Sequence, residues 1–149
     1  MEFPDLPQEA PQGVQYFVEA LEENFELEEE SRTFDWIIET VEAEAKRVHT
    51  ISYIFCNDDF LYEMNVEHLQ HDDLTDVITF PYQSDPIEGE IYISIDRIKE
   101  NAEKFGITWQ HELRRVMIHG ALHLCGYTDK SEADRAAMTE KENKYLARF

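Results

Sequence analysis

Leu113, Val116, Met117, Gly120 and Leu124 recur at the spacing of one helix face, while Ile118 and Leu122 make the opposite side apolar too. A helix apolar on two sides has little face left for water, so it must be central and covered by other elements. His119 and His123 fall together on the flank of the main stripe, roughly 90–120° from its centre. That flank is the rim of a core, where a side chain is held rigidly and still faces a cleft. Residues at i and i+4 are neighbours on a helix, so the two rings sit one above the other. Gly126 then stops the helix, and the turn after it can bring the Asp129 carboxylate back toward the same point.

Two imidazoles and one carboxylate, with no fourth protein ligand in the run, make the pattern of an open catalytic metal site rather than a closed structural one. The spacing alone also fits two satisfied histidines at the edge of an amphipathic stripe. Burial of the helix separates these readings, because polar rings in a covered position need partners. A divalent ion held by three ligands lowers the pKa of its water toward ~7 and polarises a carbonyl or phosphoryl oxygen. Peptide and phosphodiester hydrolysis are both within its reach. Zinc peptidases carry a glutamate directly after the first histidine as general base. Gly120 stands there instead and cannot take a proton, which disfavours a peptidase.

At 149 residues the chain has the length of one domain. No apolar run approaches the ~18 residues of a membrane span, and the N-terminus has no basic, then apolar, leader. The expectation is a cytoplasmic protein away from membranes, with Cys56 and Cys125 reduced and buried. The charge is strongly acidic, 33 Asp and Glu against 13 Lys and Arg. Ten of the acidic residues and none of the basic ones lie in residues 1–30. Such a surface keeps a protein soluble; nucleic-acid binding calls for the opposite sign, and Arg97, Lys99, Lys104, Arg114 and Arg115 read first as ordinary solvated faces, with a local basic rim as the alternative.

Pro4, Pro7 and Pro11 mark residues 1–13 as a flexible tail before a single domain over 14–149. Strands are expected at Gln15–Leu21, Ile51–Cys56, Asp76–Tyr82 and Glu90–Ser94, the last two joined by a turn-rich Gln83–Gly89. Glu22–Glu30 reads as an exposed connection or a ragged strand, and His71–Leu74 as a polar loop. Ser31 is the candidate N-cap of a helix to about Arg47, with Phe34, Ile37, Ile38, Val41 and Ala45 as its apolar face. Further helices are expected at Phe60–His68, at Asp96–Phe105 before Gly106, after a Thr108 cap, and from Ser131 to about Leu146. Tyr16, Phe17, Phe34 and Trp36 read as core. The order β-α-β-α-β-β-α-α-α describes an α+β fold, a small mixed sheet of about four strands packed with helices, its metal site on a central helix.

The run His119-Gly120-Ala121-Leu122-His123-Leu124-Cys125-Gly126-Tyr127 resembles the signature of the YbeY-type endoribonucleases, which mature ribosomal RNA. Thr75-Asp76-Val77-Ile78-Thr79-Phe80-Pro81 and Gly89-Glu90-Ile91-Tyr92-Ile93-Ser94 resemble two of that family's strands, and Met64-Asn65 the end of its second helix. The likeness runs from about residue 14 to 146. It implies one divalent metal ion, usually zinc, in a cleft beside the sheet, held by His119 and His123, with Asp129 where the family has a third histidine. Oxygen in place of nitrogen lowers the site's net charge and makes it more hospitable to manganese or iron(II). Asp76 either orders the ligating histidines or caps a strand end.

The family arginine that precedes the Thr-Asp-Val strand falls here on Leu69, after His68. Leucine lacks the forked, charged donors that suit a phosphate. His68 or His71 could substitute, although both read more simply as surface positions. No catalytic group is therefore assigned beyond water on the metal. The resemblance implies a metal-dependent, single-strand-specific endoribonuclease of ribosomal RNA maturation and ribosome biogenesis, with a small-subunit ribosomal protein and a ribosome-associated GTPase as partners. The alternative is a ribosome assembly factor with a structural metal and little catalytic activity, whose acidic surface docks on basic ribosomal proteins; the missing arginine favours it.

Overall fold

The computed structural model describes residues 13–21, 25–69 and 75–149. Nine elements follow one another as β1 (Gly13–Val18), α1 (Glu30–Ala43), β2 (Val48–Cys56), α2 (Asp58–Leu69), β3 (Val77–Ser84), β4 (Ile87–Ser94), α3 (Ile95–Phe105), α4 (Trp109–Leu124) and α5 (Glu132–Leu146). The expected order is the observed one, and the fold is α+β. The sheet runs β1-β2-β4-β3. β2 is parallel to both neighbours and β3 antiparallel to β4. Parallel strands need crossovers, and α1 supplies the one between β1 and β2.

β2 is buried without alternation from Tyr53 through Cys56, as a strand covered on both faces should be. β4 alternates instead: Ile87, Gly89, Ile91 and Ile93 face the main core, with Glu88, Glu90 and Tyr92 on the other side. The main core joins these isoleucines to α1, α3, α4 and α5, while a smaller cluster of Cys56, Leu61 and Ile78 sits against Phe60, Met64 and Phe80. α4 is the central helix. A Cβ on Gly120 would stand 2.8 Å from Ile91 Cγ2, and one on Gly89 would stand 2.7 Å from Leu124 Cδ2. These two glycines let helix and strand approach closely, which sets the height of the histidine face over β4 and β3.

Several local expectations are corrected. α1 begins after Glu29, whose backbone is left-handed and gives no side-chain cap, so Ser31 lies inside the first turn. Its buried line is Thr33, Trp36, Ile37, Thr40 and Val41, because Thr40 satisfies its own hydroxyl on the Trp36 carbonyl at 2.9 Å. The helix stops at Ala43, and Ala45, at φ 63°, is exposed. Phe17 is 48% exposed on the edge strand β1, pointing away from its buried-side neighbour Tyr16. The β3–β4 turn is only Asp85-Pro86, so both strands reach further than expected. Their register shifts between Pro81 and Gln83, where proline offers no N–H to the ladder. Of the two readings of Glu22–Glu30, residues 25–29 follow the connection and not the strand; residues 1–12, 22–24 and His71–Leu74 lie outside the described residues. Cys56 is buried and Cys125 half-buried, both as free thiols.

Candidate metal centre

α4 is capped at Thr108, whose hydroxyl accepts the His111 N–H at 3.2 Å, and it ends in a double reversal. Gly126, at φ 111°, donates its N–H to the His123 carbonyl at 2.9 Å, and Tyr127 donates to the Leu122 carbonyl at 3.1 Å. These are the paired bonds of a Schellman motif, and they turn the chain back over the last helical turn. The reversal places Asp129 beside the histidines. His119 Nε2 and His123 Nε2 stand 3.0 Å apart, and Asp129 Oδ2 lies 3.6 Å from the first and 3.5 Å from the second.

The other nitrogen of each ring is already engaged. His119 Nδ1 meets Glu142 Oε2 at 2.6 Å, and His123 Nδ1 meets the Tyr127 carbonyl at 2.9 Å. Carboxylate and carbonyl oxygens only accept, so both Nδ1 atoms carry the proton. Both Nε2 lone pairs then converge on one point with the Asp129 carboxylate. Repulsion among three acceptors at such distances is what a cation relieves. The donor set fits: a tetrahedral ion with bonds of ~2.0–2.1 Å has ligand atoms about 3.3–3.4 Å apart. His119, His123 and Asp129 thus form a group that could hold one metal ion.

Electrostatics agree with this arrangement. Burial opposes a charge on His119, but the Glu142 hydrogen bond and the charges of Glu142, Asp129 and Asp76 outweigh it and raise the imidazole pKa above 6.5. Glu142 is only 9% exposed, and its other oxygen accepts from Arg115 Nη1 at 3.2 Å. Glu142 was not foreseen from sequence, yet a signal exists. In α5 it shares the buried line of Met138 and Tyr145, where a lone carboxylate needs a partner.

A cleft of about 750 Å³ opens over the group, between β3 and the end of α4, with Asn65, Thr75, Asp76 and Thr79 among its lining. Burial raises the pKa of the Asp76 carboxyl, against the pull of its own N–H and of His119 and Arg97. The Asp76 carbonyl accepts the Ser94 N–H at 3.0 Å, so the residue both closes the end of the β3–β4 ladder and lines the cleft. Leu69 is the last residue of α2. His68 is exposed with its ring edge-on to Phe80, away from the cleft lining, and His71 lies outside the described residues.

Arg97, Lys99, Lys104, Arg114 and Arg115 form no basic rim on the cleft, whose lining includes none of them. Arg97 is held by Asp58 and Glu100, Arg114 lies over Phe149 near Glu29, Arg115 binds Glu142, and Lys99 lies over Trp109. Lys130 is the one lysine or arginine lining the cleft among the described residues. Each arginine was drawn to a nearer carboxylate or ring.

A family model described as Endoribonuclease YbeY matches residues 17–149. A Flavobacterium psychrophilum protein named Endoribonuclease YbeY is 49% identical over 127 residues, covering 85% of this chain and 91% of that one. Its namesake from Bacteroides thetaiotaomicron is 49% identical over 116 residues, covering 77% and 85%. The solution structure of a Thermotoga maritima protein superposes with a TM-score of 0.64 at 29% identity, covering 89% of this chain and 86% of that one. With its histidine helix and nearly its whole length inside this match, the chain belongs to the YbeY endoribonuclease family.

Proposed function

We propose that this protein is a metal-dependent endoribonuclease that cuts single-stranded ribosomal RNA during ribosome biogenesis, through one divalent ion held by His119, His123 and Asp129. The observation that carries this reading is the convergence of three ligand atoms at 3.0–3.6 Å at the wall of an open cleft. An ion bound there supplies a Lewis acid for the phosphate and lowers the pKa of water. The chain's own residues do the orienting: Glu142 and the Tyr127 carbonyl hold the two rings, and the reversal at Gly126 delivers Asp129. The cleft has the size of a small-molecule pocket, which suits splayed nucleotides better than a paired duplex. Zinc is the first choice of ion, with manganese or iron(II) admitted by the oxygen ligand.

On this reading residues 14–149 are a single catalytic domain. The protein works in the cytoplasm beside a small-subunit ribosomal protein and a ribosome-associated GTPase. Among the described residues no helix is long and apolar enough to cross a membrane. Among the described residues no arginine lines the cleft, which favours a second reading, an assembly factor with a structural metal and little turnover.

Cleavage of a labelled single-stranded RNA by nuclease-free protein, beside metal analysis of the same samples, separates these readings. Wild type should retain about one ion per chain and cleave, and His123→Ala should lose both properties. Full cleavage by metal-free His123→Ala would refute the proposed site. Equal background from both proteins, with metal retained by wild type, would favour the assembly factor.

A further inference from the structure

We propose that Glu44 is a positioning residue for the metal centre, anchoring Tyr127, whose backbone carbonyl fixes the His123 ring. The inference rests on the metal-site reading above. Glu44 lies 83 residues before Tyr127 in the chain and caps the C-terminal end of α1. A carboxylate there faces the negative pole of the helix, so dipole energy disfavours it. It is also only 10% exposed. Burial pushes its pKa up, yet hydrogen bonds from Tyr127, Tyr145 and Lys141 overcome that and leave it lowered. The Tyr127 hydroxyl donates to Oε1 at 2.6 Å, Lys141 Nζ to Oε2 at 3.1 Å, and the Tyr145 hydroxyl to Oε2. A site that is unfavourable twice over, and satisfied by three donors, ties the end of α1 to α5 and to the loop after α4.

Tyr127 transmits that tie. Its N–H is held by Leu122 and its carbonyl accepts from His123 Nδ1, so the residue sits on the backbone that aims one ligand. It also begins the segment that carries Asp129, whose side chain is 47% exposed. The phenol bond to Glu44 thus tethers the residue that aims His123, while the Asp129 segment beyond it is also held by Thr128 on Asp134 and by Arg135 on the Asp129 carbonyl. α5 works on both sides: Glu142 reaches His119, while Lys141 and Tyr145 reach Glu44.

The test exploits two phenols that donate to the same carboxylate, one linked to His123 and one not. Apo full-length protein is titrated with cobalt(II), following the visible ligand-field band, and zinc affinity is taken by competition. Tyr127→Phe should weaken cobalt binding about tenfold, the low end of the range for groups that orient metal ligands, and shift the band. Tyr145→Phe should lower the melting temperature comparably while leaving affinity and band as in wild type. In a Glu44→Ala background, Tyr127→Phe should add no further loss; should Glu44→Ala fail to fold, the two single phenylalanine variants still decide. Wild-type affinity and band in Tyr127→Phe would overturn the proposal, as would an equal loss in Tyr145→Phe, which would make Glu44 a plain structural staple. Failure of wild type to bind cobalt or zinc would overturn the metal-site reading itself, and this inference with it.

Discussion

Glu112 and Glu142 are both buried carboxylates, and their surroundings could hardly differ more. Glu142 has both oxygens engaged, one on His119 and one on Arg115. Glu112 is 4% exposed, and its Oε1 is the one buried side-chain oxygen without a hydrogen-bond partner among the described residues. Arg115 Nε stands 3.9 Å away, too far for a hydrogen bond. Burial raises the Glu112 pKa above 4.5; Asp76 and Glu142 raise it further, and Arg115 only partly offsets this. The native state therefore holds a proton on Glu112 more tightly than the unfolded chain does. Its ionised form is penalised above the folded pKa, and the penalty is gone below 4.5. Glu112→Met should thus raise stability at pH 7 by about 1 kcal/mol, with the gain disappearing by pH 4. Urea denaturation at the two pH values checks this, and a variant less stable than wild type at pH 7 would contradict it. The position is legible in sequence only as a polar residue near the start of a buried helix; which carboxylate finds a partner depends on α5, brought there by the fold.

Between elements, the contact of α4 with β4 controls the site. Gly120 lies between the two histidines in sequence and against Ile91 in space. Alanine at an exposed helix position would gain about 1 kcal/mol over glycine. Here its Cβ would stand 2.8 Å from Ile91 Cγ2 and 2.9 Å from Ile91 Cδ1, and overpacking of that kind costs about 1–3 kcal/mol. Gly120→Ala should therefore melt at a lower temperature and bind zinc more weakly, because the shifted helix carries His119 and His123 with it. Adding Ile91→Ala should restore part of the zinc affinity; no restoration would place the defect elsewhere. At this scale much was readable. Thr108 and Ser131 cap α4 and α5, and Gly106 ends α3 in the left-handed region, as their residue types suggest. Ser31 misled because backbone geometry at Glu29 starts α1 two residues before that cap could act.

For the molecule as a whole, charge is the governing quantity. A formal net charge of −20 repels a phosphate backbone, and six of the thirteen lysines and arginines are paired with carboxylates of the same chain. Arg32, Arg47, Arg97, Arg114, Arg115 and Lys141 are all paired in this way. Lys130 is the one lysine or arginine lining the cleft among the described residues, so few counterions are released when RNA binds there. With a 2′-O-methyl single-stranded RNA, log affinity should fall against log salt with a slope of about 1–2, far from the ~10 of a strongly basic binder. Lys130→Ala should remove most of what slope there is. Fluorescence anisotropy across a salt series measures both, and a slope above about 5 would show a basic surface that this fold does not display.

The sequence by itself determined the order of the nine elements, the central place of α4 and the pairing of His119 with His123, because these follow from periodicity and spacing within single segments. It also carried Asp129 as the third member, since a glycine-stopped helix returns the chain locally. Only the tertiary structure decided what holds those side chains in place. Glu142 meets His119 from α5, Glu44 meets the Tyr127 phenol from the end of α1, and the arginines are taken up by neighbouring carboxylates. Contacts between segments far apart in the chain leave no local pattern, so packing alone settles which charges meet.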